Sequence, residues 1–268
     1  MRPQQPRAHG RVSLSVKRSD NVAALDRLHM SGSLRCLFPR RNGSGIEAVL
    51  LNTAGGITGG DRFEIAAEAA PDTILAMTTQ AAERAYRAQP GETGHLTTRL
   101  RVGARGCLHW LPQETILFDG SALRRSLRVD LAPGASLLLA EPLIFGRAAM
   151  GEVLHNVQFH DCVDIRREGR PLFLDRTALD GDVAAHFARP HVANGAGAMA
   201  LIVYIAADAD VRLEGLRALL PKTAGASLIG ADVLIARCLA ADGFALRRTL
   251  VPALRFLAGS GLPKCWML

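Results

Sequence analysis

Long apolar runs are missing from this sequence. No stretch approaches the roughly 18 uninterrupted apolar residues that a membrane-spanning helix needs, so no bilayer anchor is expected. Aromatic residues are scarce at 5%, and the hydrophobic 49% of the chain leans on Ala, Leu and Val. No C-x-x-C pair occurs; Cys36, Cys107, Cys162, Cys238 and Cys265 stand alone. An odd number of isolated cysteines argues against a disulfide framework and offers no paired ligands for structural zinc. There is no G-x-S-x-G elbow and no H-E-x-x-H, which removes the commonest serine-hydrolase and zinc-hydrolase patterns. A gathered basic block is missing too. The net charge is +7, but the arginine pairs Arg40-Arg41, Arg124-Arg125, Arg166-Arg167 and Arg247-Arg248 are dispersed along the chain. Nucleic-acid binding favours a concentrated patch; scattered pairs suit solvated strands or a surface that meets an acidic protein. The first ten residues, MRPQQPRAHG, lack an apolar core and read as a disordered tail and not a signal peptide, which makes the cytoplasm the expected compartment.

What the chain does contain is concentrated between Leu51 and Asp61, LNTAGGITGGD, where Gly55, Gly56, Gly59 and Gly60 fall within six positions. Glycine at that density means backbone in left-handed regions or a close approach to the main chain. A phosphate loop is excluded by context. No Lys-Ser or Lys-Thr follows, the spacing is not G-x-G-x-x-G, and RFEIAAEA alternates as a strand where a nucleotide loop would open a helix. A tight turn between two strands is the expectation.

From Arg11 to about Gln158 the sequence is a series of short strands broken by turn residues: RVSLSV, SLRCLF, IEAVLLN, DRFEIAAEA, TILAMTTQ, HLTTRLRV, CLHWLPQ, SLRVDLA and SLLLAEPLIF. Turn chemistry lies between them at Pro71-Asp72, Pro90-Gly91, Gly103-Ala104, Asp119-Gly120 and Pro133-Gly134. PDTILAMTTQ, ARGCLHWLPQ and PGASLLLAEP share a turn, an apolar strand and a polar stop, at spacings of 33 and then 29 residues. A weak repeat of that size is a signature of stacked β-layers. The expected fold is mainly β: a large irregular sandwich or a solenoid-like stack of short strands. One body is expected over 11–268, with a β-rich portion at 11–197 and a mixed α/β portion at 198–268. In that last portion AMALIVYI reads as a buried strand, DADVRLEGLRALL as a helix, and ASLIGADVLIARCLA as two strands hinged at Gly230-Ala231-Asp232. ADGFALRRTLVPALRFLAG reads as a second helix, in which Pro252 fits best near the start of a helix beginning at about Leu250, or at a kink.

Histidines are dispersed. His155 and His160, five apart, face opposite sides if they share a strand, and His186 and His191 lie in a Pro-containing loop. Either pair has metal-ligating chemistry, but surface placement is the ordinary outcome. The carboxylates are more suggestive. Asp61 closes the glycine segment, Glu83 follows TTQAA, Glu114 lies in LPQET, Asp119 in an FDG turn, and Glu152 follows AAMG. Glu141 interrupts the run LLLAEPLIFG. A lone charge there costs several kcal/mol if buried, so it either pairs with an arginine such as Arg147 or faces a water-filled passage.

LNTAGGITGGDRF, TTQAAERAYRA, LHWLPQETILFDGSALRRSLRVDL, LLLAEPLIFGRAAMGE and LVPALRFLAGSGLPKCWML, in this order from about Arg11 to Leu268, resemble the urease accessory protein family UreD, also called UreH. The resemblance implies a mostly β, non-catalytic protein that binds urease apoprotein and UreF, and UreG through UreF. It further implies a part in delivering Ni(II) to urease, with no tightly bound cofactor of its own. A carrier must release nickel, so carboxylates, carbonyls and water suit the route better than a dense His/Cys cage. On that basis Asp61, Glu83, Glu114, Asp119, Glu141 and Glu152 are the expected polar lining of a transient nickel path. The alternative implied role is a scaffold that holds urease in an activation-competent shape without touching nickel.

Overall fold

Turn signals between the strands make the chain wind in coils, each coil laying one strand in each of two facing sheets. The computed structural model describes residues 6–40, 43–259 and 261–267. The expected N-terminal tail therefore lies partly outside the described residues, as do Arg41 of the first arginine pair and Leu268; within them, strand structure starts at His9, two residues before the expected boundary. The entry strands are β1 (His9–Ser19), β2 (Val22–Gly32) and β3 (Leu34–Leu37), and the first coil is β4 (Ile46–Asn52) with β5 (Arg62–Ala69). The second is β6 (Ile74–Thr79), β7 (Glu83–Ala85) and β8 (Gly94–Val102); the third is β9 (Cys107–Leu111), β10 (Thr115–Leu117) and β11 (Ala122–Leu131). The fourth is β12 (Ser136–Phe145) and β13 (Val157–Arg167), closed by β14 (Arg170–Gly181) and a short α1 (Val183–Phe187). Then follow β15 (Ala198–Ile205), α2 (Ala209–Leu219), β16 (Ala224–Ile229), β17 (Val233–Ala240) and α3 (Gly243–Ala258).

One sheet has the order β14-β13-β11-β8-β5-β1-β2; the other runs β16-β17-β15-β12-β9-β6-β4-β3. Strands of successive coils pair in parallel in both sheets, and β7, β10 and the end of β12 make a short parallel third wall. The weak repeat is the register of this stack. Ile74 pairs with Cys107 and Cys107 with Ser136, steps of 33 and 29 residues. The opposite sheet takes the same steps, from Arg62 to His95 and from Gly94 to Leu123. The fold is thus the solenoid-like stack of strands, with a helix-containing C-terminal portion.

The two sheets differ in what covers them. The first is wet on its outer face, so β5 (RFEIAAEA) alternates between exposed and buried positions along its length. The second is buried on both faces at its central strands β9, β12 and β15. Its inner side joins Leu75, Leu108, Leu137 and Leu139 to the inter-sheet core, and its outer side puts Leu138, Ala140, Ile202 and Leu234 against α2 and α3. That double burial explains the uninterrupted apolar runs SLLLAEPLIF and AMALIVYI.

Five strands escape the sequence reading: β2, β7, β10, β13 and β14. β2 and β14 are edge strands whose residues are mostly exposed or half-buried, so their apolar alternation is blunted. β7 and β10 are three residues each, too short to carry a period. The last helix does not begin near Leu250. It begins at Gly243, where the Asp242 side chain accepts a hydrogen bond from Ala245 N (2.7 Å), and Pro252 sits in its interior. A mid-helix proline removes one backbone hydrogen bond. Here the face formed by Leu246, Leu250, Ala253, Leu254 and Leu257, all buried against the second sheet, holds the helix regardless.

Candidate functional site

The glycine segment carries the chain from β4 in one sheet to β5 in the other, and two of its glycines are required by what surrounds them. Gly56 has φ +157°, and a Cβ there would stand 2.2 Å from the Tyr86 ring. A Cβ on Gly59 would meet the Cβ of Glu92 at 2.6 Å. Asp61 finishes the turn from inside: one carboxylate oxygen accepts from Ala8 N and the other from Thr58 N, both at 2.8 Å, with the residue 4% exposed. The segment is a structural turn, and the Asp61 carboxylate is taken up by its backbone.

Between the sheets, beneath this turn, lies a cavity of about 320 Å³. Leu34, Phe63, Ile65 and Leu127 supply its apolar lining, and Glu83, Trp110, Gln113, Thr115, Arg125, Glu141 and Asp161 its polar lining. At its centre the Arg125 guanidinium bridges two carboxylates, Glu141 at 3.0 Å and Asp161 at 2.6 Å. Arg125 Nη1 also donates to Thr115 Oγ1 at 3.0 Å, and its guanidinium lies 5.2 Å from the centre of the Phe159 ring. Trp110 Nε1 donates to Glu141 at 2.7 Å. Burial pushes the Glu141 carboxyl above its usual range, opposed by the Arg125 charge and reinforced by Asp161. For Arg125, burial works against the charge, but Asp161 and Glu141 together hold the guanidinium above its ordinary value. Glu83 enters from β7. Burial lifts its carboxyl too, although Asn52 Nδ2 (3.1 Å) and Arg84 N (3.1 Å) donate to it. Among the described residues, the buried Arg125 Nε and Gln113 Nε2 have no partner. Polar groups of that kind, lining a space this large, are where ordered water belongs.

Of the six carboxylates singled out in the sequence, Glu83 and Glu141 line this cavity. Glu114 sits just behind its wall, bound to Arg247 at 3.1 Å. Asp119 and Glu152 are elsewhere, in a cluster at the rim of the coils. Asp119 accepts from His155 N and Asn156 N (both 2.9 Å) and from Arg87 (2.7 Å). Glu152 accepts from both Nε and Nη2 of Arg147, at 2.8 and 3.0 Å. Burial alone would raise Asp119, but the two backbone N–H groups and Arg87 hold it below its usual value; Arg147 holds Glu152 below its own, against burial. Arg147 is therefore the partner of Glu152, and Glu141 pairs with Arg125 instead.

The sequence reading missed Arg125 and Asp161. The signal was the two-residue phase: Arg125 stands between Leu123 and Leu127, and Asp161 between Phe159 and Val163, all four apolar neighbours buried. A charge in phase with a core stripe points inward. The histidines stay outside the cavity. His155 and His160 meet Asp182 and Asp180 at 3.3 and 3.0 Å on the surface, and His186 lies in α1. No group of three or more His, Cys, Asp or Glu is gathered tightly enough among the described residues to hold a metal ion. No helix among them is long and apolar enough to cross a membrane.

The structure defines a class: a coiled β framework of two facing sheets around a polar cavity. Its sequence narrows that class to one family. The family model described as UreD urease accessory protein matches residues 8–267. The urease accessory protein UreD of Ruegeria pomeroyi is 57% identical over 255 residues, covering 95% of this chain and 99% of its own length. The proteins of that name from Roseobacter denitrificans (48% over 264 residues; 98% of this chain, 96% of its own) and Ruegeria sp. TM1040 (52% over 274 residues; 99% and 92%) are similar throughout. The chain belongs to the UreD urease accessory protein family, and with it to the proteins that serve urease maturation.

Proposed function

We propose that this chain is a non-catalytic component of urease maturation that binds urease apoprotein and UreF, and UreG through UreF, and that Ni(II) passes through its inter-sheet cavity on the way to urease. The observation that carries this reading is the charge balance of the cavity lining: three carboxyls, Glu83, Glu141 and Asp161, against the buried Arg125 and the exposed Arg84. Such an interior favours a cation over an anion. Its donors are carboxylates, hydroxyls and amides, which bind nickel more loosely than imidazole and thiolate and let it leave. The elevated proton affinity of Glu83 and Glu141 adds a means of release, because a carboxyl that takes a proton gives up a metal.

Of the six carboxylates proposed for the route from sequence, Glu83 and Glu141 keep that role and Asp161 joins them. Asp61, Glu114, Asp119 and Glu152 are committed to turn and ion-pair geometry. The test is a host strain lacking this gene, complemented with the wild-type chain or with the double variant Glu83→Gln, Glu141→Gln. Wild type restores urease activity and bound nickel. The double variant restores urease protein with little nickel.

The Arg125 bridge favours a second reading, in which the charges serve only to fix the framework and the chain holds urease in an activation-competent shape. Equilibrium dialysis against Ni(II), with and without UreF, separates the two: the scaffold reading requires no nickel uptake in either case.

A further inference from the structure

The cavity wall at Pro112 and Gln113 is anchored from the far side of its sheet. Residues 112–114 connect β9 to β10, and Pro112 and Gln113 face the cavity. Inside, Gln113 N donates to Thr79 Oγ1 at 2.9 Å. Glu83 N donates to the Glu114 carbonyl at 2.8 Å, and the side-chain contacts that hold the connection from behind come from the last 25 residues of the chain. Arg247, on the second turn of α3, donates from Nη1 to Gln113 Oε1 (2.8 Å) and Glu114 Oε1 (3.1 Å), and from Nη2 to the Cys265 carbonyl (3.0 Å). Its guanidinium lies 5.1 Å from the centre of the Trp266 ring. Trp266, 1% exposed, donates from Nε1 to the Leu111 carbonyl at 2.9 Å. Both ends of the connection are thus gripped by one unit, α3 with the C-terminal turn folded over it.

We infer that Arg247 and Trp266 form a latch that sets the opening of the cavity wall, so that the width of the chamber follows the seating of α3 and the C-terminal turn. Arg247 is a positioning residue here. Without it, Glu114, 8% exposed, is a buried carboxylate with no salt-bridge partner among the described residues, and Gln113 Oε1 loses its donor. Both costs are relieved when the connection swings away, opening the wall. The role needs a planar fork that donates in two directions while stacking on an indole, which a lysine does not supply. The consequence for nickel passage rests on the proposed function above; the latch itself does not.

The test uses the full chain carrying Thr98→Cys as a reporter. Thr98 lines the cavity and is 4% exposed. Its modification by a small cationic methanethiosulfonate is followed by mass spectrometry. The native thiol of Cys36, 3% exposed on β3, reports global opening in the same sample. Arg247→Gln is expected to speed reporter modification about tenfold with the Cys36 rate unchanged, Arg247→Lys to give part of that increase, and Trp266→Phe less again. Equal reporter rates in all four proteins overturn the latch, as does a rise matched by Cys36. Should Arg247→Gln not fold, Arg247→Lys and Trp266→Phe decide by the same criterion. Neither nickel nor urease enters the assay, so its failure removes the latch alone. Unaltered nickel loading of urease by a variant shown to be open counts against the nickel reading alone.

Discussion

Two acid clusters of this protein use the same residue types and arrive at opposite electrostatics. In the cavity, Glu141 and Glu83 have raised proton affinity; at the rim, Asp119 and Glu152 have lowered proton affinity. Both clusters contain arginine. The difference is in how much hydrogen bonding comes with the burial. Asp119 and Glu152 are met by backbone N–H groups and a private guanidinium each, which outweigh their desolvation. Glu141 shares Arg125 with Asp161, and half-buried Glu83 has an amide and one backbone donor, which do not offset its desolvation. The rim cluster is locked in its ionised form. The cavity cluster has raised proton affinity, and that contrast is the physical basis for proposing passage at one and architecture at the other.

The contrast breaks most visibly at the two arginines. Arg125→Met strands Glu141 and Asp161 and is expected to cost about 3–5 kcal/mol in urea unfolding. Arg147→Met, at a half-exposed pair, is expected to cost far less. Equal losses would erase the distinction between the clusters.

A neutral buried base gives the next effect. His109, 8% exposed on β9, has its imidazole pushed down to about 4 by burial. The unfolded imidazole binds a proton below its ordinary value of 6.5 and the folded one does not, so its contribution is complete above that pH and is lost as pH falls towards 4. The loss approaches about 3 kcal/mol at most. His109→Leu is expected to flatten the stability profile within that window.

Gly56→Ala is expected to destabilise by about 1–3 kcal/mol, because the added carbon meets the Tyr86 ring in a conformation that L residues rarely adopt. Tyr86→Ala should recover part of that loss in a double-mutant cycle.

The smallest effects have opposite signs. Glu152 stabilises above its unfolded pKa and stops doing so as pH falls through its lowered folded value. Glu152→Gln is therefore expected to cost about 0.5–1 kcal/mol at pH 7 and nothing in acid. Glu83 has a raised folded value, so its contribution is present in acid and lost as pH rises through it. Glu83→Gln is expected to be neutral or mildly stabilising at pH 7. Chemical denaturation at two pH values reads both.

Much of this architecture was legible in the sequence, and the gaps have physical causes. The repeat from PDTILAMTTQ to PGASLLLAEP gave the coil stack directly, because register in a parallel solenoid is sequence separation. The glycine turn was legible because φ near +80° and close approach both select glycine. Glu141 was legible as an anomaly, an acid in an apolar run. Its partner was not. Arg147 is near in sequence, whereas Arg125 reaches Glu141 only through the pairing of different coils. Asp61, Asp119 and Glu152 were indistinguishable from cavity acids because a carboxylate that ties a turn and one that lines a chamber look alike until the backbone around them is placed. The latch lay beyond reach for the same reason, since Arg247 meets Gln113 across 134 residues.

The proposed path of nickel runs by the cavity acids and not by the rim acids. The direct measurement is nickel per urease active site in cells producing urease and its accessory proteins with one of two matched double variants of this chain. Glu83→Gln, Glu141→Gln is expected to cause a severe loss and Asp119→Asn, Glu152→Gln to leave loading near normal, each complex forming normally. Equal loading by the two variants would contradict this path.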